Sequence, residues 1–346
     1  LLQECYAINK KRFLKNHYLN EIEIMKAYVA ENWCEPEELV FKDIEDPTPK
    51  AGEVVIDIKA SGMNFPDMLL IQGKYQLRPK RPFSPGIEVS GIISAVGEGV
   101  TNWKVGDKAM GLCWLGGYAE KVAIAEKNIY PMPTGMSFEE AAGFIVTYQS
   151  SYFAIVVRAN LKPTETMLVH AGAGGIGSSA IQIGKAIGAK VYATAGSEEK
   201  LEVIRKLGAD LALNYNEATW SKKIRKEYGG VDVVIDPVGG DAFDKSILCT
   251  NFEGRIVVVG FTSGRIPTLA VNMLLLNNIS VMGVYWNLYQ NDKPEAIKKC
   301  ANQLNEWYVE GKVKPLVYKT YPLRDAPQAL REVGTRKTYG KTILIP

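Results

Sequence analysis

Residues 167–195, MLVHAGAGGIGSSAIQIGKAIGAKVYATA, constrain the fold of this chain more than any other stretch. Met167-Leu168-Val169-His170-Ala171 is a short run suited to a strand buried on both faces. Gly172-Ala173-Gly174-Gly175-Ile176-Gly177 follows at once and fits G-x-G-x-x-G. Apolar residues at Ile176, Ala180, Ile183 and Ile187 then predict a helix that stops at Gly188, and residues 190–195 read as a second strand. A glycine turn between strand and helix, with a strand behind, is the βαβ context that points to a dinucleotide site. Gly172 is expected to permit the tight turn. Gly174 lets a pyrophosphate approach the backbone, and Gly177 lets the helix pack closely on the sheet. The N–H groups at the new helix's start then hold the phosphates. The competing reading is a glycine-rich turn with a structural role only.

The chain has 346 residues, room for two domains of ~150 residues each, and its pattern divides accordingly. Residues 25–130 are dense in short strand signals, such as 53–60, 88–96 and 118–124, punctuated by Gly and Pro. That pattern predicts a small β-barrel. Ser137 caps a helix beginning at Phe138. From about Leu161 strands alternate with helices, with strand cores at 167–171, 191–195, 211–214, 231–235, 256–260 and 279–284. Six strands with helical crossovers predict a doubly wound parallel sheet. A helix over 294–311 and strand-like ends at 317–321 and 341–345 are expected to rejoin the barrel. The fold class is therefore α/β. The barrel domain takes 25–150 and 286–346, the sheet domain takes 151–285, and a cleft lies between them.

Residues 1–24 read as an N-terminal extension that mixes Lys10, Lys11, Arg12 and Lys15 with Glu4, Glu21 and Glu23. Either it is upstream chain on a cytoplasmic protein, or it is the remnant of a mitochondrial transit peptide. The net charge of +3 comes with no basic block, which argues against nucleic acid as the main partner. No apolar run approaches the ~18 residues of a membrane span. The five cysteines are scattered and contain no C-x-x-C, which suggests free thiols in a reducing compartment. His17 and His170 are the sole histidines, and His170 falls where burial is expected.

Six motifs carry a resemblance: ASGMNFPDMLLIQGKY, PGIEVSGIISAVGEGV, the glycine fingerprint, LGADLALNY, DVVIDPVGG and the closing GKTILIP. From Met25 to Pro346 the chain resembles a medium-chain dehydrogenase/reductase of the quinone oxidoreductase type, the family that includes zeta-crystallin. The resemblance implies a GroES-like β-barrel catalytic domain, a Rossmann domain and a nicotinamide cofactor in the cleft. Zinc alcohol dehydrogenases of this superfamily ligate catalytic zinc with a Cys in the first motif and a His just before the Glu of the second. Here those places hold Asn64 and Ile87, before Glu88, so no metal is expected. Without a Lewis acid, the resemblance suits hydride donation to an electron-poor acceptor, a quinone or an enone.

The second strand ends Thr194-Ala195-Gly196-Ser197, with no acid where NAD sites place Asp or Glu. Glu198 and Glu199 read as a first helical turn behind the Ser197 cap. A 2′-phosphate is then not repelled, and NADPH is the expected cofactor. In similar quinone oxidoreductases the glycine of this loop, a Lys placed as Lys200 is and a Tyr placed as Tyr215 is surround that phosphate. The alternatives are a solvated helix face for Lys200 and a packed strand-end aromatic for Tyr215.

At the reacting end the resemblance puts Asn64, Asp67 and Tyr75 over the nicotinamide, with Asn64 and Tyr75 as donors to the acceptor oxygen. A phenol can donate a hydrogen bond and pass a proton. The alternative for Tyr75 is a barrel-surface tyrosine. Thr147 matches a family Thr near the nicotinamide ring, and its alternative is a hydroxyl bonded back to its own turn. Val238 and Phe261 follow the fourth and fifth strands, at the edge where such sheets bind ligands. Lys341 precedes the last strand and is a candidate for the cofactor phosphates. The apolar segment Leu274-Leu275-Leu276 beside a sheet-edge strand suggests a homodimer. Competing readings are an enoyl-thioester or 2-alkenal reductase, and a non-enzymatic NADPH-binding protein of the crystallin kind.

Overall fold

The computed structural model describes residues 23–346. Nearly all of the expected N-terminal extension, with Cys5 and His17, lies outside the described residues.

The Rossmann sheet has six parallel strands. In spatial order they are Leu211–Asn214, Lys190–Ala195, Thr166–Val169, Val231–Asp236, Thr250–Val258 and Ser280–Gly283. Tyr192 and Val234 both stand level with Leu168, and the middle strands are buried along 167–169, 191–195 and 233–236, as both-face packing requires. The chain order reverses between Thr166–Val169 and Val231–Asp236, which makes a crevice at the strands' carboxyl ends.

The first strand stops at Val169, two residues before its expected end. The left-handed residue of the turn is then Ala171, at φ 49°, and not Gly172. Gly172 is needed for a different reason: a Cβ there would lie 2.9 Å from Ala193 Cβ and 3.0 Å from Ile204 Cγ2. At Gly177 a Cβ would lie 2.1 Å from the Ala171 carbonyl oxygen, so close helix–sheet contact does demand glycine. A Cβ on Gly174 would meet only that same oxygen, at 3.3 Å, and its outer face is open. The expected strands 256–260 and 279–284 shift to Thr250–Val258 and Ser280–Gly283.

The GroES-like sheet runs Val317–Pro322, Lys341–Ile345, Glu53–Gly62, Glu88–Val96, Lys108–Leu112 and Ile129–Pro131, with Lys121–Ala125 also paired to Glu53–Gly62. The last strand therefore does return to the barrel, with Ile343 opposite Gly62. The helix Phe138–Ala142 starts on a capping box in which Glu140 N–H donates to Ser137 Oγ at 3.2 Å. The helix Ile145–Tyr152 continues into the helical turn Phe153–Arg158, so the expected division at residue 150 falls inside one helical run. One apolar cluster crosses it, from Met110 and Leu112 of the barrel through Phe144 and Ile145 to Val169 and Val191 of the parallel sheet. Among the described residues no helix is long and apolar enough to cross a membrane.

Candidate active site

The fingerprint helix Gly175–Ile187 makes its first intrahelical bond from Ser178 N–H to Gly174 O, at 2.8 Å. The N–H groups of Gly175, Ile176 and Gly177 precede that bond and point out of the helix start, where an anion is favoured. Thr147 is buried beneath them, and a Cβ on Gly175 would lie 3.0 Å from its methyl. Its hydroxyl donates back to Gly143 O at 2.9 Å, leaving the oxygen able to accept.

At the end of the second strand, Lys200 N–H donates to Ser197 Oγ at 3.4 Å, so Glu198 and Glu199 do form a first helical turn. The Tyr215 ring lies over Gly196, where a Cβ would come within 2.3 Å of its hydroxyl oxygen. Lys200 Nζ donates to the Arg336 carbonyl at 2.7 Å, a contact between residues 136 apart in the chain. Burial holds the Lys200 ammonium below its ordinary pKa, with Glu199 opposing and Arg336 adding to the depression. The Arg336 guanidinium in turn bonds Thr262 O on the sheet domain. Sequence reading missed Arg336 because it stands far along the chain, after the helix Ala326–Gly334, at φ 59°. No local motif signals it.

Asp236 Oδ1 accepts from Val238 N–H at 2.8 Å and Gly239 N–H at 2.9 Å, which turns the chain sharply off the fourth strand. Phe261 lies against Gly239. Val238 and Phe261 thus stand together at the carboxyl edge of the sheet, the edge that carries the fingerprint. His170 is buried, within 3.0 Å of Thr194 Oγ1 and 2.7 Å of Ser246 Oγ, and burial lowers its pKa, Asp236 opposing. It ties the end of the second strand, at Thr194, to the end of the helix Gly240–Ser246.

The reacting end departs from expectation at two residues. Asn64 donates from Nδ2 to Gly62 O and to Glu88 Oε1, both at 3.1 Å, and its Oδ1 accepts from Lys341 Nζ at 2.7 Å. Both amide protons are occupied, so Asn64 is not a free donor for an acceptor oxygen. Lys341 Nζ also donates to Met63 O at 2.7 Å and Glu88 Oε1 at 2.8 Å. An ammonium has three protons, and all are taken inside the barrel, so none is left for a cofactor phosphate. The sequence points both residues at ligands, whereas in the fold the buried Glu88 bonds them.

Tyr75 is partly buried and packs against the core shared by the two domains. Burial pushes its phenol up to about 12, with smaller contributions from Tyr285 and Asp67. Tyr285 is a neighbour that sequence reading did not single out. Asp67 is fully buried, and its Oδ2 accepts from Asn64 N–H at 2.7 Å and Tyr118 O–H at 3.1 Å.

Ile87 is buried, and its carbonyl accepts from Cys113 N–H at 2.8 Å. Among the described residues no cluster of three or more His, Cys, Asp or Glu side chains could hold a metal. The donor set around Asn64, Ile87 and Glu88 does not fit tetrahedral zinc, because Ile87 offers no side-chain ligand and Asn64 is already bonded.

The chain matches the family model of the alcohol dehydrogenase GroES-like domain over residues 50–134 and that of zinc-binding dehydrogenases over 175–302. Barrel and Rossmann sheet together define a medium-chain dehydrogenase/reductase. Within that class the chain belongs to the quinone oxidoreductase family. It is 38% identical over 307 residues to quinone oxidoreductase-like protein 2 of Bos taurus, covering 87% of this chain and 88% of that one. Among solved structures, a probable oxidoreductase from Mycobacterium abscessus superposes with a TM-score of 0.86 at 38% identity, over 94% of this chain and 100% of that one. The quinone oxidoreductase of Thermus thermophilus, solved with and without NADPH, superposes with a TM-score of 0.81 at 32% identity, over 93% of this chain and 100% of its own.

Burial raises the Asp67 carboxyl from an ordinary 3.8 to about 7, against the opposing pull of its Asn64 N–H bond, Lys341 and Tyr118. Its folded pKa lies above the unfolded one, so the fold holds an extra proton between those values. The resulting stabilisation is complete below the unfolded pKa and is lost as pH rises through the folded one. Asp67→Asn should therefore gain roughly 1–3 kcal/mol relative to wild type between about pH 5 and about pH 8. Urea unfolding at the two pH values checks this, and an unchanged difference between the two proteins would rule it out.

Proposed function

We propose that this protein is an NADPH-dependent reductase of quinones or other electron-poor acceptors, working without zinc. The observation that carries the reading is the acid-free strand end at Gly196-Ser197, flanked by the Tyr215 ring and by two cations, Lys200 and Arg336. A 2′-phosphate there would gain charge-assisted bonds, which a 2′-hydroxyl cannot match. Gly172, Gly174, Gly175, Ile176 and Gly177 would hold the pyrophosphate, while Thr147, Val238 and Phe261 would border the nicotinamide. NADPH so held supplies a hydride.

The chain's remaining task is to orient the acceptor and meet the charge that builds on its oxygen. With Asn64 bonded elsewhere, Tyr75 is the remaining donor of the two expected. Its pKa of about 12 keeps the hydroxyl proton in place at neutral pH. The described cysteines are free, and burial raises all four, so none is poised as a thiolate nucleophile. Direct hydride transfer without a covalent enzyme intermediate follows.

A second copy of the chain fits the exposed edge of the parallel sheet. Strand Ser280–Gly283 ends that sheet, and Leu275 and Leu276 beside it are about three-quarters and two-thirds exposed, at 75% and 69%. Leu274 instead packs on the core. Pairing about a two-fold axis would cover both edge and leucines.

Wild type should bind NADPH more tightly than NADH, and Lys200→Ala or Arg336→Ala should each weaken NADPH by roughly 1.5–3 kcal/mol while leaving NADH nearly unaffected. Fluorescence titration tests this, and equal affinity of wild type for the two cofactors would sink the reading. Tyr75→Phe should lower turnover with a quinone and with an enone by ~10- to 1,000-fold at nearly constant NADPH affinity. Wild-type rates would leave Tyr75 as a pocket wall. Tight NADPH binding with no acceptor reduced would favour the non-enzymatic alternative. Light scattering at micromolar concentration should give the mass of a dimer, and a mass of about 38 kDa, that of one chain, would exclude it.

A further inference from the structure

The Lys341–Glu88 pair lies at the point where the barrel meets the fingerprint turn, and the hydride transfer proposed above gives it no role once its ammonium is bonded inside the barrel. The two side chains are 5% and 0% exposed, with Nζ 2.8 Å from Oε1. Glu88 uses its other oxygen, Oε2, to accept from Val146 N–H at 3.0 Å, in the first turn of the helix Ile145–Tyr152. The residue after Val146 is Thr147, whose methyl supports Gly175. The stem of Lys341 borders the same face of that glycine: a Cβ on Gly175 would lie 3.5 Å from Lys341 Cδ. Just before it, Gly340 N–H donates to Ala173 O, inside the fingerprint, at 2.6 Å. One ion pair thus governs two supports of the fingerprint turn, one through the last barrel strand and one through the helix.

We infer that Lys341 and Glu88 are positioning residues that set where the fingerprint turn sits against the barrel, and so align the nicotinamide with the Tyr75 end. The inference rests on the NADPH reading above only in its second half. The supports belong to the chain itself and exist without cofactor. Lys341 runs between Gly143, where a Cβ would approach its Cγ to 3.0 Å, and Gly175, so the stem has little room to relocate. If the pair is broken, the turn keeps its own helix start but loses its fixed distance from the barrel. NADPH would still be bound by the sheet domain, at the wrong depth for transfer.

Three readouts on wild type, Lys341→Met and Glu88→Gln test this. Hydrogen exchange of residues 171–177 in cofactor-free protein should speed up at least ~10-fold in each variant as the supports loosen. The hydride-transfer rate at saturating NADPH, in single turnover, should fall at least ~10-fold, since misplacement of about 1 Å can cost that much and more. The dissociation constant for NADPH should stay within about 3-fold of wild type, because the groups that touch the cofactor are intact. A rise in that constant beyond ~10-fold with the saturated rate unchanged would make Lys341 a direct phosphate ligand and overturn the inference. Wild-type exchange in the variants would overturn it too, and that arm decides even if NADPH is not the cofactor.

A lone buried charge can prevent folding, so the double variant Lys341→Met/Glu88→Leu is included. Removing both members of a buried pair is tolerated far better than removing one. It also lacks the tie to Val146 and must show the same fast exchange and slow transfer. Wild-type transfer in the double variant would refute the positioning role.

Discussion

A buried ammonium and a buried carboxylate, Lys341 and Glu88, hold the rest of this structure in register. Such a pair is tolerated inside a protein only if further hydrogen bonds satisfy both groups. Here the remaining protons of Lys341 find Met63 O and Asn64 Oδ1, and the remaining acceptor of Glu88 finds Val146 N–H. The pair and its partners come from four separated parts of the chain: 63–64, Glu88, Val146 and Lys341. Meeting the electrostatic requirement of one ion pair therefore fixes a barrel strand, its neighbour, the connecting helix and the C-terminal strand relative to one another.

The same requirement explains why the expected ligand set is different here. A side chain in a cleft motif is available to a ligand only if the protein interior does not compete for it. Glu88 is fully buried and must be neutralised on the spot, so it takes the amide of Asn64 and the ammonium of Lys341. The phenol of Tyr75 carries no such obligation. It sits in the wall between the domains with its proton held by desolvation. At the far end of the cleft the situation is reversed, since Lys200 and Arg336 crowd like charges together with one acid, Glu199, beside them. Like charges held close without full compensation favour an anion, and a phosphate answers that need.

Much of the architecture was legible in the residues because it rests on local physics. The glycine turn, the alternation of strand and helix and the Ser137 and Ser197 caps are short-range features, and each forms near its expected place. Ser197 is instructive: its cap turns Glu198 and Glu199 into a helical first turn, so the missing acid at the strand end is visible from three or four letters. Gly177 was also readable, since helix–sheet contact at a fingerprint leaves no room for a side chain. The strand ends were less so. The left-handed turn residue proved to be Ala171, while Gly172 answers to crowding from Ala193 and Ile204, which no local pattern displays.

What the sequence by itself determined is the chain's class, read from six motifs along its length, together with the form of its glycine turn and the lack of an acid at the end of the second strand, both written within one βαβ unit. What only the tertiary structure decided is which polar groups remain free to act. Arg336 joins Lys200 from 136 residues away, and Asn64 and Lys341 are drawn to Glu88 across separations of 24 and 253 residues. Periodicity and motif spacing carry no trace of such pairings, because they depend on burial, and burial is a property of the folded whole.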